Sequence, residues 1–263
     1  MHKELSPIDA AKRASAEHAA ELVESGMVLG LGTGSTAEWL VRALGRMVRE
    51  DGLKISAAAT SSRTAALARQ EGIEIIDLDA AGRLDLTIDG ADEFDAELRL
   101  IKGGGGAHLQ EKIVAAASDR MVVIADASKE VKTLGAFPLP LEVIPFGAET
   151  TRALVEEVLE TQDVLGRETA FREKDGALFI SDEGNRILDL HLKRIGDPFA
   201  LSNALNHIPG VVENGLFINL CDLVIIGHPD GSGEEIGPGG ARRKLDAPDG
   251  SSDNIFTEIA DDR

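Results

Sequence analysis

The sequence predicts an α/β fold in which a parallel sheet covered by helices carries a second, smaller α+β domain. Three observations predict it. Short apolar runs alternate with amphipathic helical stretches through the first half of the chain, the βαβ order of a parallel sheet. Near Phe137-Pro138-Leu139-Pro140-Leu141-Glu142-Val143-Ile144-Pro145, three prolines bound an extended segment, and the pattern then changes to strands joined by hairpin-type turns. The apolar run 223–226 then returns to the first sheet. On this reading 1–135 and 207–228 form the sheet domain, 136–206 the smaller domain, and 229–263, rich in Gly, Pro, Asp and Ser, a flexible tail.

The elements follow in order. Ser6-Pro7 opens a helix with a capping residue and a proline at the first position, and Ser25-Gly26 closes it. Residues 27–31 are apolar and read as a buried strand. The strand leads into Gly30-Leu31-Gly32-Thr33-Gly34-Ser35-Thr36 and a helix with Trp39, Leu40, Ala43, Leu44 and Met47 on one face. Strands over 54–60 and 73–76 flank a helix over 61–70. The strand 84–88 delivers Asp89-Gly90-Ala91-Asp92-Glu93-Phe94-Asp95 at its C-terminal end. The strand 98–101 runs into Lys102-Gly103-Gly104-Gly105-Gly106-Ala107, after which Leu109, Ile113 and Val114 recur at helical spacing. The strand 121–125 ends at Asp126-Ala127-Ser128-Lys129. Ligands of open α/β sheets bind outside the carboxyl ends of the strands, so these four loops are expected to share one crevice. In the smaller domain, helices are expected over 150–161 and 198–207, and strands over 164–171, 177–181 and 186–190.

Composition narrows the function. Asp and Glu number 46 against 27 Lys and Arg, a formal charge of −19, which repels nucleic acid and acidic membrane surfaces. Adaptation to high salt and plain solubility account for this acidity equally well. An anionic substrate would need the few cations concentrated locally, which singles out Lys12, Lys102 and Lys129. No apolar run approaches the ~18 residues of a membrane span, and the N-terminus is charged and amphipathic, so a cytoplasmic protein is expected. The single Cys221 excludes an internal disulfide and any Cys-based zinc cluster.

The motifs are tested one by one. GLGTGST follows a strand and opens a helix, but Ser35 stands where the third glycine of a dinucleotide fingerprint belongs, and no acidic residue ends the next strand. A nicotinamide cofactor is therefore disfavoured. No Lys precedes Ser35 or Thr36, so the Walker pattern fails too. What remains is a loop with hydroxyls and free N–H groups at a helix start, suited to a phosphate monoester, or a simple helix cap. DGADEFD lacks the Gly and Glu of a calcium loop, since Phe94 and Leu100 occupy those places. Its carboxylates suit acid/base work, sugar hydroxyls or a solvated turn. The glycine run is an anion nest or a flexible loop, with Lys102 at one side and Glu111 as a base about one turn into the helix. The six histidines are scattered without metal-ligand spacing, and His108 reads as a helix-surface residue. A phosphate loop, a carboxylate base, a cation and a glycine nest together suit proton abstraction beside a carbonyl.

In order along residues 30–228, GLGTGSTA, DGADE, KGGGGA followed by EK, IADASK, FPLPLEVIP, DEGNRILD and IPGVVENGLF appear. This series closely resembles the type A ribose-5-phosphate isomerases. The resemblance implies a Rossmann-like domain with a smaller α+β domain inserted, a homodimer or homotetramer, and interconversion of ribose 5-phosphate and ribulose 5-phosphate with no metal or other cofactor. Carried over by position, it makes Glu111 the base that moves a proton between C2 and C1. Thr33, Gly34, Ser35 and Thr36 become one substrate loop, Asp89, Gly90, Ala91 and Asp92 a second, and Lys102, Gly103, Gly104 and Gly105 a third. Lys129 lies at the substrate and Lys12 reaches the phosphate. Lys102 meets developing oxyanion charge, and Asp92 and Asp89 handle hydroxyl protons or ring opening. Beside a helix N-terminus and Lys102, Glu111 is expected to be ionised at neutral pH. One departure is Leu109-Gln110, where Leu-Arg is common in the family; another is the length beyond Asp230. Two other readings stay open, a sugar-phosphate sensor that has lost catalysis and an aminosugar phosphate isomerase-deaminase.

Overall fold

The computed structural model describes residues 5–247. Helix α1 (Pro7–Ala20) starts at the Ser6 cap, whose side chain accepts from the Asp9 N–H. Then come β1 (Val28–Leu31), α2 (Ser35–Arg46), β2 (Ser56–Ala59), α3 (Ser62–Gln70), β3 (Glu74–Ile75) and a single turn, α4 (Leu78–Ala81). Next are β4 (Leu86–Gly90), β5 (Glu93–Phe94), β6 (Leu100–Ile101), α5 (His108–Ala116) and β7 (Met121–Asp126). The middle of the chain contributes β8 (Leu139–Val143), α6 (Ala148–Leu159), β9 (Glu168–Phe171), β10 (Glu173–Lys174), β11 (Ala177–Leu178), β12 (Arg186–His191) and α7 (Pro198–Asn206). It ends with β13 (Val211–Asn214), β14 (Leu216–Phe217), β15 (Leu223–Gly227), β16 (Gly233–Ile236) and β17 (Arg242–Leu245).

The large sheet has the order β17-β16-β15-β7-β4-β1-β2-β3, parallel from β15 to β3. Alternate residues of its central strands point to opposite faces, and both faces are covered. Leu29, Leu31, Ile88, Val122, Ile124 and Ile225 pack with Leu40 and Leu44 of α2 and Ala16 and Ala19 of α1. Val123, Ala125, Val224 and Ile226 pack on the other face with Phe94, Phe217 and Ala115. Each such Leu, Ile, Val or Phe side chain contributes roughly 1.5–3 kcal/mol by leaving water.

The second sheet, β13-β8-β12-β9, is antiparallel. Leu139, Leu141 and Val143 of β8 and Leu188 and Leu190 of β12 bury one face against Val155 and Leu159 of α6 and Leu201 and Leu205 of α7. Helix α5 lies between the two sheets. Its Val114 and Ala115 pack toward the large sheet, whereas Lys112 donates to Glu213 Oε1 at 2.9 Å and Asn214 O at 2.7 Å on β13.

Three boundaries differ from the sequence reading. Residues 233–236 and 242–245, expected in a tail from 229, are strands that extend the large sheet antiparallel from β15. His18 of α1 fixes the turn between β15 and β16 through Nε2, 3.0 Å from Gly231 O. The remainder of the expected tail, 248–263, lies outside the described residues. Strand β13, expected with the large sheet, pairs with β8, so the smaller sheet reaches beyond 206 and the return to the large sheet comes at Leu223. The strand that leads to Lys102 is not in the parallel sheet either: β6 pairs antiparallel with β5 and β14.

Candidate active site

Strand β1 is flanked by β2 on one side and β4 on the other, and the chain order reverses there. Such a switch point opens a crevice at the carboxyl ends of the strands. The loops after β1 and β4 meet in it, with Thr33 N donating to Asp89 Oδ1 at 3.0 Å. Only glycine allows this approach at position 32, where a Cβ would lie 1.9 Å from Asp89 Oδ1.

Asp89, Lys102 and Glu111 come together in the floor of the crevice, 0%, 2% and 4% exposed. Lys102 Nζ donates to Gly90 O at 2.5 Å and lies 2.9 Å from Asp89 Oδ2 and 3.1 Å from Glu111 Oε2. Both oxygens are within hydrogen-bonding distance of the ammonium but off the best alignment, so charge is the main tie, with hydrogen bonding added to it. The Phe217 ring lies under Lys102, 5.3 Å from Nζ to its centroid. Two buried carboxylates around one ammonium leave an excess negative charge, which a proton relieves. Oδ1 of Asp89 is satisfied as an anion by the N–H groups of Thr33 and Gly90, the latter at 2.7 Å. Burial raises the Asp89 pKa as well, against Lys102 and these N–H groups; Glu111, which lacks such N–H partners and whose pKa burial and then the Asp89 charge push up to about 8, is the seat of the proton. This corrects the expectation of an ionised Glu111 at neutral pH: Lys102 and the helix start do not outweigh desolvation. The Lys102 pKa is raised by the Asp89 and Glu111 charges despite its burial, so it stays an ammonium.

The glycine run arches over this floor. Gly103 has φ +104, a conformation L side chains rarely adopt. Gly104 and Gly105 are exposed, Gly104 N donates to Asp92 Oδ2 at 2.7 Å, and Asp92 is half-exposed at the crevice rim beside Ala91. His108 is not a surface residue: it is fully buried, with Nε2 3.3 Å from Glu213 O. Burial lowers its pKa to about 4, so it is neutral and serves packing.

At the other end of the crevice, Gly34 with φ +114 is the N-cap of α2 and offers no side-chain cap to the first turn. The simple helix-cap reading of GLGTGST therefore fails, and the first-turn N–H groups remain for an anion. Lys12 of α1 donates to Ser35 Oγ at 3.0 Å. Lys129, half-exposed three residues past β7, has no ion pair among the described residues. The Thr33 hydroxyl turns away from the loop, 2.8 Å from those of Thr60 and Ser61 and 3.2 Å from that of Thr64. That leaves Ser35 and Thr36 as the loop's available hydroxyls.

Comparison with known proteins gives the family of the chain. The family model for ribose 5-phosphate isomerase A (phosphoriboisomerase A) matches residues 56–231. The chain belongs to that family. A ribose-5-phosphate isomerase A from Ruegeria sp. (strain TM1040) is 63% identical over 99% of this chain and 100% of its own. Ribose 5-phosphate isomerase from Plasmodium falciparum is 32% identical, covers 91% of this chain and 99% of its own, and superposes with a TM-score of 0.80. A D-ribose-5-phosphate isomerase solved in complex with phospho-erythronic acid is 34% identical, over 92% and 100%, with a TM-score of 0.78. Membership of the family makes the chain an aldose–ketose isomerase, which disposes of the sensor and deaminase readings.

Around the crevice, two sets of residues escape the sequence reading. Arg172, one position past β9, donates to the carbonyls of Gly103 and Gly104. Nothing in FRE at a strand end marks it, because its partners on the run lie 69 and 68 positions away. Thr60, Ser61 and Thr64 were passed over as a strand end and helix start. Among the described residues no helix is long and apolar enough to cross a membrane, and no three or more His, Cys, Asp or Glu are arranged to hold a metal ion.

Proposed function

We propose that this site interconverts ribose 5-phosphate and ribulose 5-phosphate by proton transfer through an enediolate, with Glu111 as the carbon base. The observation that carries the proposal is the buried Asp89–Lys102–Glu111 array beneath the exposed glycines. The ammonium occupies the place between two carboxylates where a cation is required. Ser35, Thr36, Lys12 and the first-turn N–H groups of α2 hold the phosphate, with Lys129 adding charge. Asp92 faces the sugar hydroxyls and assists ring opening. The phospho-erythronic acid bound by a related enzyme carries a phosphate and a carboxylic acid, which supports a site with an anion locus at each end.

In the reaction, ionised Glu111 takes the proton from C2, and negative charge passes to the sugar oxygens. Lys102, 3.1 Å from the base, is already in place as Glu111 becomes neutral and the enediolate becomes charged. Its field needs no rearrangement, which is the condition for large electrostatic stabilisation. Asp89 acts through others, holding Lys102 through one oxygen and the Thr33 loop through the other. The hydroxyl proton passes from O2 to O1, relayed by Asp92 at the sugar hydroxyls, and Glu111 returns its proton to C1, which completes the exchange and leaves the base ionised again.

The test is turnover of ribose 5-phosphate in D2O after chelator treatment. Activity that survives, with carbon-bound deuterium in the product, is expected. Activity lost to the chelator and restored only by a divalent cation, with hydrogen retained in full, would overturn the proton-transfer route. The resting proton on Glu111 sets a second expectation. A base protonated below about 8 is idle there, so kcat/KM should rise with pH through an apparent pKa near that value, belonging to the coupled carboxylates. A profile flat from the ordinary carboxylate range upward would show that the base is already ionised in the free enzyme.

An assembly of two or four copies is part of the proposal and is read from the mass in solution. Phe146 and Phe199, 89% and 63% exposed, are apolar side chains left for such an assembly to cover.

A further inference from the structure

The Arg172 guanidinium spans two elements. On one side Nε donates to Asp189 Oδ2 at 2.9 Å and Nη2 to Oδ1 at 2.5 Å, a bidentate pair with β12. On the other, Nη1 donates to Gly103 O at 2.8 Å and Gly104 O at 3.0 Å. Both side chains are largely buried, 15% and 17% exposed. The planar fork is thus fixed by the smaller sheet and fixes two consecutive peptide groups of the run.

Peptide geometry turns this grip into an orientation. In a trans peptide plane the C=O and the following N–H point in opposite directions. The Gly103 carbonyl shares its plane with Gly104 N–H, and the Gly104 carbonyl with Gly105 N–H. Drawing both carbonyls toward the smaller sheet therefore aims both N–H groups away from it. Gly104 N indeed donates to Asp92 Oδ2 at the rim, and a Cβ built on Gly105 would meet only Thr33, 3.9 Å away across the crevice.

The chain after Arg172 is tied to the same rim. Arg172 Cζ lies 5.9 Å from the centroid of Phe179, and that ring fills the space above Gly106, where a Cβ would come within 2.4 Å of it. Asp182 Oδ2 accepts from Ser62 N at 2.9 Å, and Glu183 accepts from Gln110 of α5. These contacts hold the hairpin of β10 and β11 against the glycine run, the start of α3 and the helix that carries Glu111.

We propose that Arg172, held by Asp189, is a positioning residue for the isomerisation: it aims the Gly105 N–H at the sugar oxygens that gain charge and turns the Gly104 N–H onto the Asp92 carboxylate at the rim. The proposal rests on the proton-transfer reading above. It gives the smaller sheet a part in rate rather than in substrate affinity, since no atom of Arg172 needs to touch the sugar.

The experiment compares the full-length wild type with Arg172→Ala, Arg172→Lys and Asp189→Asn, using ribose 5-phosphate as substrate and circular dichroism and Tm as controls. In Arg172→Ala, kcat is expected to fall about 10- to 100-fold with KM within about threefold, because the groups misaimed act in the transition state. Millimolar methylguanidinium should restore part of that kcat and leave the wild type unaffected. Arg172→Lys should remain impaired, since an ammonium cannot hold a carboxylate and two carbonyls in one plane. Asp189→Asn keeps the shape, is the variant to read if Arg172→Ala does not fold, and should show a smaller loss confined to kcat. Unchanged kcat in folded Arg172→Ala or Asp189→Asn, or a loss shared equally by KM and Tm without rescue, would overturn the positioning role. A wild-type chain that fails to turn over ribose 5-phosphate would instead sink the isomerase reading itself.

Discussion

Glu111→Gln is expected to lower kcat by about 10²- to 10⁴-fold while leaving the fold intact and KM for ribose 5-phosphate within a few-fold. The amide has the shape of the protonated carboxyl that the site already holds, so packing beside Lys102 changes little. What disappears is the ability to take a proton. The substitution also has a signature in stability that a damaged site would not show. The folded-state pKa of Glu111, about 8, lies above its ordinary 4.5. The stabilisation linked to its proton is therefore complete below the ordinary value and is lost as pH rises through about 8. Glutamine does not titrate. Tm measured from about pH 4 to 10 should show the variant gaining on the wild type between 4.5 and about 8, with a constant difference above that. A near wild-type kcat would remove Glu111 from the base role, and parallel Tm curves would show that it is ionised throughout.

Lys102→Met should have the largest combined effect. Methionine fits the volume but leaves Asp89 and Glu111 facing each other without a cation in a site closed to water. Removing one partner from such a buried charge cluster costs about 3–5 kcal/mol. Turnover should fall at least as far as in Glu111→Gln, since the developing enediolate loses its neighbouring cation. Adding Asp89→Asn should recover a substantial part of the stability, because it removes the stranded charge while Glu111 stays protonated, and none of the turnover. Thermal unfolding of the single and double variants reads this coupling directly. Additive losses in the two would show that Lys102 and Asp89 act independently.

The parallel sheet was legible because its strands are short apolar runs at the spacing of βαβ units, and its carboxyl-end loops carry the polar residues. Residues 27–31 and 121–125 differ from β1 and β7 by only one residue at one end. Lys102 and Glu111 could be picked out because a strand, a glycine run and a helix stand consecutively. Other features depended on pairing across distance. Strands β16 and β17 contain few apolar residues, and form because β15 has a free edge to pair with. Strand β13 looks apolar enough for either sheet, and its choice of β8 follows from where β8 lies. The state of Glu111 was misjudged because two nearby features favouring the carboxylate are visible in sequence, whereas complete burial and the proximity of Asp89 are not. His108 was misjudged for the same reason, since the sheet that covers it begins 31 positions later in the chain, at β8.

The way the large sheet stops has a bearing on how copies of this chain behave when crowded together. An open sheet edge offers unpaired backbone groups to any strand that approaches. At one edge β3 is only two residues long, too short to template an addition. At the other, β17 presents Arg242, Arg243 and Lys244, all exposed, in an otherwise strongly acidic molecule. Arg242 and Arg243 pair with Glu234 and Glu235 of β16, so this border carries charged, hydrated side chains that an approaching apolar strand would have to desolvate. The last described strand thus acts as a gatekeeper against edge-to-edge aggregation as well as a sheet member.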